Sequence, residues 1–353
     1  MKRFTLLYCL WSLLLLSSCE TMNQVTINCL QPGVYNFPSD IKKVAIVNNT
    51  PYNNGVPKAY NDGNKSNKTE SYLFTNGKNT AESLAKSISD QNYFDEVVIC
   101  DSVLRNDNDI DEGDRILTLD EVNALTYGLK VDAIISLDNV EMNISREINT
   151  AYEPYEGSLD AVIRPTVRVY VPSHLGPIMT VQNSDTLSCV RDGATIAEVE
   201  SMLPTNAQVI EDAAGFAGQI PVKQMLPHWT NNDRVYFSNG VSSSLQDAAS
   251  CVRNNKWDAA FYIWKGKYDK TNNQSMKMKM AFNIALYYEM QNNIDEAINW
   301  ATKSKEHAVK ANSNNSSYFK TSLANTYLTI LKERSKDIDH LNIQMNRFKN
   351  EVK

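Results

Sequence analysis

The apolar positions of this chain change their period from segment to segment, and those changes mark its elements. Phe4 to Leu16 is a nearly unbroken apolar run behind Lys2 and Arg3, shorter than the roughly 20 residues a spanning helix needs. "VTINC", Val25 to Cys29, predicts one short strand within a tether, and Lys43 to Asn48 a buried strand closed by turn residues. Residues 48–79 carry nine asparagines with Gly55, Gly63 and Gly77, the composition of a long polar loop. Ala81, Leu84, Ala85 and Ile88 recur at i, i+3, i+4 and i+7, which predicts a helix from about Thr80 to Asn92. "DEVVICD" predicts a second short strand. Thr118 followed by Glu121 has capping-box spacing, with Val122, Leu125 and Leu129 as the apolar face and Gly128 placed to stop the helix in the left-handed conformation.

"VDAIISLDNVEMNIS" alternates like a strand but changes phase. Ile135 and Leu137 share one parity, and Val140, Met142 and Ile144 the other. A bulge near Asp138-Asn139 resolves the conflict, because an extra residue lets a strand change parity without turning its core face outward. From Leu159 the pattern is regular. Leu159, Ala161, Ile163, Val167, Val169 and Val171 point one way, and Asp160, Arg164, Thr166, Arg168 and Tyr170 the other, as in an antiparallel strand with one wet face. Pro165 requires an edge or bulged position. Residues 178–190 read as a partner strand, Pro204 to about Ile220 as a helix with Val209, Ile210, Ala213, Ala214 and Ala217 inward, and "DRVYFS" as a last strand. The expected fold is an α/β (α+β) domain, a mixed sheet with helices packed on it.

Beyond Ser243 glycine and proline nearly vanish and helical periodicity takes over. "AFNIALYYEMQNNIDEAINWATKS", Ala281 to Ser304, resembles a tetratricopeptide (TPR) repeat, with Ala285 and Ala297 at the small-residue positions where two helices approach closely. Ala248 and Ala260 stand 37 residues earlier in a weaker copy, and Ala324 and Tyr327 fit a third helix near Ser322 to Leu331. Asp337 to Phe348 fits a capping helix. Analogy with that repeat puts Phe282, Leu286 and Glu289 on a concave face able to hold a peptide. The domain boundaries expected are 1–18 for a leader, 19–38 for a tether, 39–240 for the α/β domain and 241–353 for the TPR-like helical domain.

Composition narrows the function classes. The 353-residue chain has formal charge −6, which becomes −8 once Lys2 and Arg3 leave with a leader, so nucleic acid is not an expected partner. Cys29, Cys100, Cys189 and Cys251 are scattered without a C-x-x-C pair, and three disulfide connectivities stay open. His174, His228, His307 and His340 lack metal-ligand neighbours at i+3 or i+4, and no phosphate-binding glycine loop or nucleophile-elbow motif occurs. No catalytic residue, cofactor or metal is therefore expected. Arg164 and Arg168, on one strand face, are spaced to hold an anion or to be solvated.

The leader ends in Leu16-Ser17-Ser18-Cys19, which resembles the lipobox of bacterial lipoproteins. That resemblance implies cleavage before Cys19, acylation of Cys19 and a membrane anchor through lipid. "IKKVAIVN", the helix near residue 80, "NYFDEVVICD" and "LTYGLKVDAIISLDNVE" resemble exported α/β modules, namely the TolB N-terminal domain and lipoproteins of the curli-secretion and penicillin-binding-protein-activator type, with Ser136 where those have a glycine. The whole layout resembles an uncharacterised Bacteroidota lipoprotein family. Asp101-Ser102-Val103 and Asp185-Thr186-Leu187 fit the short O-glycosylation pattern of that group, which makes Ser102 and Thr186 candidate sites. These resemblances imply a cell-envelope protein at the outer membrane, with an envelope protein or peptide as partner. The function expected is a non-catalytic interaction or assembly module; the alternatives are a regulator of a cell-wall synthesis enzyme and an envelope hydrolase.

Overall fold

A computed structural model describes residues 22–50, 59–61, 68–73, 77–100, 104, 116–151, 153–238, 242–311 and 316–351. The chain separates into two compact units, each discontinuous in sequence. One combines the segment up to Gln31 with Trp229–Asn342, and the other combines Pro32–His228 with Ile343–Lys353.

The α/β unit is built on β2 (Lys43–Asn48), β5 (Glu96–Cys100) and β6 (Ala133–Asn149). β2 pairs in parallel with β5 on one side and with residues 133–137 of β6 on the other. α1 (Gly77–Asp90) connects β2 to β5, and α2 (Leu119–Leu129) connects β5 to β6. Both faces of β2 are buried. Val44 and Ile46 pack with Ala81, Leu84 and Ile88 of α1, while Ala45 and Val47 pack with Leu117 and Val122 at the start of α2. The two helices therefore cover opposite faces, and the first strand is central. In such a sheet the topological switch point, where ligands commonly bind, lies at the carboxyl ends of β2 and β6.

β6 continues past that point. Its first part pairs with β2, and residues 141–146 pair with β4 (Lys68–Leu73), which forms a hairpin with β3 (Ala59–Asn61). The expected polar loop thus contains a hairpin, whose backbone groups are satisfied by the free edge of β6. On its other side β6 pairs with β7 (Tyr155–Tyr170), and the register shifts between Leu137 and Asn139. This is the bulge that the change of phase requires. It keeps Ile135 and Leu137, and then Val140, Met142 and Ile144, in one core cluster. β7 has no such shift, and its odd-numbered residues Leu159, Ala161, Ile163, Val167 and Val169 face that core throughout. The far edge of β7 holds β9 (Asp185–Gly193) along residues 155–163 and β8 (Met179–Val181) along 167–169. Pro165 falls in the gap between them, where no ladder donor is needed.

Several expectations need correction. Thr166 and Tyr170 are buried rather than wet, because Tyr170 packs with Leu117 and Val122. The capping box at Thr118 forms, but the left-handed residue that ends α2 is Lys130, with φ 55°. The segment from 196 makes three helices, α3 (Ile196–Met202), α4 (Asn206–Ala217) and α5 (Val222–Met225), and Thr205 with Gln208 supplies a second capping box.

The helical unit comprises α6 (Ser243–Arg253), α7 (Trp257–Lys270), α8 (Gln274–Met290), α9 (Ile294–Lys310) and most of α10 (Ser316–Met345). The two helices expected between Ser322 and Phe348 are one through Met345, since neither glycine nor proline interrupts them. β1 (Met22–Gln31) and β10 (His228–Phe237) form a separate ribbon. Contacts of Asn23 with Tyr236, Thr26 with Asp233 and Cys29 with Thr230 run in opposite order, so the pair is antiparallel. The residues expected as a tether thus include a ten-residue strand, with Ile27 and Cys29 buried. Met22 and Val25 pack on the helical core, as do Tyr236 and Phe237. The last strand therefore serves this ribbon and not the large sheet.

Gly218 tests the packing between α1 and α4. A Cβ there would lie 2.5 Å from the Leu84 backbone nitrogen and 2.7 Å from the Thr80 carbonyl oxygen, although φ is an ordinary −67°. Gly218→Ala should cost about 1–3 kcal/mol by overpacking. Gly128→Ala in α2, where an added Cβ meets nothing within 4 Å, should instead be neutral or stabilise by up to about 1 kcal/mol. Urea unfolding of the two variants checks the contrast; equal effects would contradict it.

Candidate functional site

The switch point of the α/β unit is filled by its own polar side chains. Asp138 is the residue inserted by the bulge, and it is 2 % exposed. Ser136 donates to Asp138 Oδ1 at 2.5 Å and Asn49 Nδ2 donates to the same oxygen at 2.8 Å. Arg168 Nη1 donates to Oδ2 at 2.8 Å. The backbone N–H of Asn49 continues the ladder to Leu137 at 2.9 Å. Burial pushes the Asp138 carboxyl above its ordinary value, while Ser136, Asn49 and Arg168 pull it down. Burial and the nearby Asp138 charge push the Tyr170 hydroxyl up, and that hydroxyl accepts the Leu117 N–H at 3.2 Å. The network ties β2, β6 and β7 together where the parallel and antiparallel parts of the sheet meet. Arg164, by contrast, makes an exposed pair with Glu141 at 3.4 Å, a contact of about 0–1 kcal/mol. The two arginines thus meet carboxylates of β6 and do not form one anion site.

The helical unit has a second buried carboxylate. Glu289, near the end of α8, is 1 % exposed. Arg234 of β10 donates to it through Nε and Nη2, at 2.9–3.2 Å, and Arg334 of α10 donates through Nη1 at 2.9 Å. Tyr327 donates its hydroxyl at 2.7 Å. Burial and the Glu289 charge hold that hydroxyl far above its usual value, so it remains a donor. Burial opposes the Arg234 charge, but the bonds and charge of Glu289 outweigh it and raise the guanidinium above its ordinary value. Nearly two turns earlier Asn283, fully buried, accepts the Phe237 N–H and donates to the Phe237 carbonyl, both at 2.8 Å. A primary amide is thereby paired with the backbone of an extended strand.

Phe282, Leu286 and Glu289 are 2 %, 0 % and 1 % exposed. The helix face that bears them is covered from within the chain. Phe282 packs edge-to-face on Phe237 at 5.4 Å and against Tyr327 at 4.8 Å. These three residues are core, which corrects their assignment to a partner. Their burial was hidden because α10 and the ribbon that cover them lie far away in sequence. Thr186 is exposed at the edge strand β9, its N–H bonded to Asp185 at 2.8 Å. Cys19 and Ser102 lie outside the described residues. Cys29, Cys100, Cys189 and Cys251 are not joined to one another. Among the described residues no group of three acidic, histidine or cysteine side chains is placed to hold a metal ion. A shallow, open depression of about 390 Å³ lies where α3 meets α4, beside Met202, Glu211 and Asp212, and shares no residue with either network.

The molecule is thus an α/β unit and a helical unit, each centred on a carboxylate whose oxygens are taken up by neighbouring side chains. The chain belongs to the DUF8603 family, a domain of unknown function, whose model matches residues 41–237, more than half of its length. A second model, DUF6340, also a domain of unknown function, matches residues 246–333. No curated protein and no solved structure matches the chain.

Glu289 gives a direct test of the helical network. Removing one side of a buried ion pair costs about 3–5 kcal/mol, and Arg234 and Arg334, at 13 % and 10 % side-chain exposure, recover little of it from water. Glu289→Gln should destabilise the helical unit toward that figure, and Tyr327→Phe by about 1–3 kcal/mol. Chemical denaturation followed by circular dichroism reads both. An unfolding midpoint for Glu289→Gln equal to that of the parent chain would refute the assignment.

Proposed function

We propose that this chain is a lipid-anchored protein of the bacterial cell envelope, acting as a non-catalytic interaction and assembly module at the outer membrane. The observation that carries the reading is the succession of Lys2-Arg3, an apolar run and Leu16-Ser17-Ser18-Cys19, with the described fold starting at Met22. Lipid on Cys19 would hold the helical unit within three residues of the bilayer. Acyl chains supply about 0.8 kcal/mol per buried methylene, and two or more anchor a protein stably.

The chemistry of the interior supports a module over a catalyst. Asp138 and Glu289, the two deeply buried carboxylates, spend their oxygens on internal donors. A TPR-like arrangement is supported by α8 and α9, which pack as a hairpin with Ala285 and Ala297 fully buried, and by Ala248 and Ala260, buried alike in the preceding pair. Since the face bearing Phe282, Leu286 and Glu289 holds the chain's own strand, the partner surface is sought elsewhere on the unit.

Labelling of intact cells with a tagged fatty acid should mark the parent chain and not Cys19→Ala, while both are produced; label retained on Cys19→Ala would overturn the anchor. In-cell crosslinking should recover the same envelope protein in every repeat. Recovery of none would overturn the assembly reading.

A further inference from the structure

Lysines gather at one end of the helical unit. The end of α7, the start of α8, the end of α9 and the start of α10 meet at one pole. His307 bridges Gln274 Oε1 at 2.7 Å and the Tyr268 hydroxyl at 2.9 Å, Ser304 donates to the Met278 carbonyl at 3.0 Å, and Lys320 reaches Ser275 at 3.4 Å. This pole carries Lys267, Lys270, Lys277, Lys305, Lys310 and Lys320. Its acids are Asp269, held by Lys265 at 2.6 Å, and Glu306. The opposite pole, where α8 turns into α9, is mixed in charge: Asp258, Asp295 and Glu296 stand there with Arg253, Lys256 and Arg334, and Asp258 takes the Tyr287 hydroxyl at 2.7 Å.

Helix electrostatics accounts for only part of the lysine pole. Cations are favoured in the last turn of a helix, which suits Lys267, Lys270 and Lys310, and disfavoured in the first. Lys277 and Lys320 stand at or near the first turns of α8 and α10, so helix stability alone gives no reason for a cation there. The same pole also exposes large apolar side chains. Tyr318 is 80 % exposed, Phe319 57 % and Val309 53 %. Lysines around exposed aromatic residues make the chemistry of an interfacial membrane contact, in which the rings enter the headgroup level and the cations meet phosphates.

The ribbon supplies an independent direction. β10 runs along α8 from Arg234, bonded to Glu289, to Phe237, bonded to Asn283 and lying under the Lys279 ammonium at 5.8 Å. It is therefore heading for the lysine pole. β1 is antiparallel to it, so Met22, its first residue, stands at the end of the ribbon nearer that pole. Only Glu20 and Thr21 separate Cys19 from Met22, a reach of at most about 10 Å.

We propose that the lysine pole of the helical unit docks on an anionic lipid surface, with Tyr318, Phe319 and Val309 at the headgroup level. The placement of Cys19 rests on the anchor reading; the charge and the exposed side chains do not. The chain as a whole is acidic, at −6, so attraction to an anionic surface comes from this pole and not from the net charge.

The test uses the chain from Glu20 onward, made without lipid, which keeps every described residue. Co-sedimentation with phosphatidylglycerol vesicles should exceed that with phosphatidylcholine vesicles at least tenfold. Raising salt from about 0.1 M to about 1 M, where the screening length falls from about 10 Å to about 3 Å, should release it. Lys270→Glu with Lys310→Glu should lower binding about tenfold, and Phe319→Ser should weaken it without changing its salt dependence. Asp295→Lys at the opposite pole, checked for folding by circular dichroism like the others, should leave it unchanged. Equal binding to both vesicle types, binding to neither, or undiminished binding of the lysine variant overturns the proposal. None of these outcomes depends on whether Cys19 is acylated, so the anchor and the docking surface fail separately.

Discussion

One strand carries the α/β unit, and the demand placed on it explains the rest. β6 must pair in parallel with β2 over its first residues and antiparallel with β4 over its later ones, while β7 follows its whole other edge. A strand of strict period 2 cannot keep one apolar face through the phase change its own sequence contains. The inserted residue restores the face, but it costs a break in the ladder at a buried position. Asp138, with Ser136, Asn49 and Arg168, closes that break with side-chain bonds. The polar cluster at the switch point is thus first a solution to a pairing problem. Its location is where an α/β sheet would present a ligand site, and here the chain's own groups fill it.

The helical unit solves a different problem by similar means. Stacked helical hairpins leave an open groove. Here β10 and α10 close it, and Arg234 and Arg334 enter from the two sides to meet Glu289. Taking three charged groups out of water is unfavourable unless nearly every donor and acceptor is matched. Three donor side chains around one carboxylate meet that condition. The arrangement also discriminates. A hydrocarbon groove would accept any apolar strand, whereas this carboxylate and the Asn283 amide hold β10 at one register.

Local information in the sequence was enough for elements whose partners lie nearby. The apolar spacing of α1, the capping box at Thr118, the bulge at Asp138 and the face of β7 all follow from neighbours within a few residues. What was hidden depends on distant pairing. The strand at "VTINC" was legible but its partner was not, because β10 arrives more than 200 residues later; Asn23 and Tyr236 are 213 positions apart. Glu289 reads as an exposed charge in "IALYYEM" because both arginines that bury it lie elsewhere. Tyr170 alternates as a wet residue because α2, which covers that face, is out of register with any local signal. The helical segment was legible as helical, whereas its closed groove was not.

That long separation bears on how the chain reaches this fold. β1 is made first and its partner strand only after residue 228, so the ribbon is a contact of high sequence separation and forms late. Until then Ile27 and Cys29, buried in the finished fold, have no β10 to pair beside. Closing the ribbon then does two things at once. It buries β1 and fills the groove with Phe237 and Arg234, so the first described strand and the groove of the helical unit are completed by the same pairing.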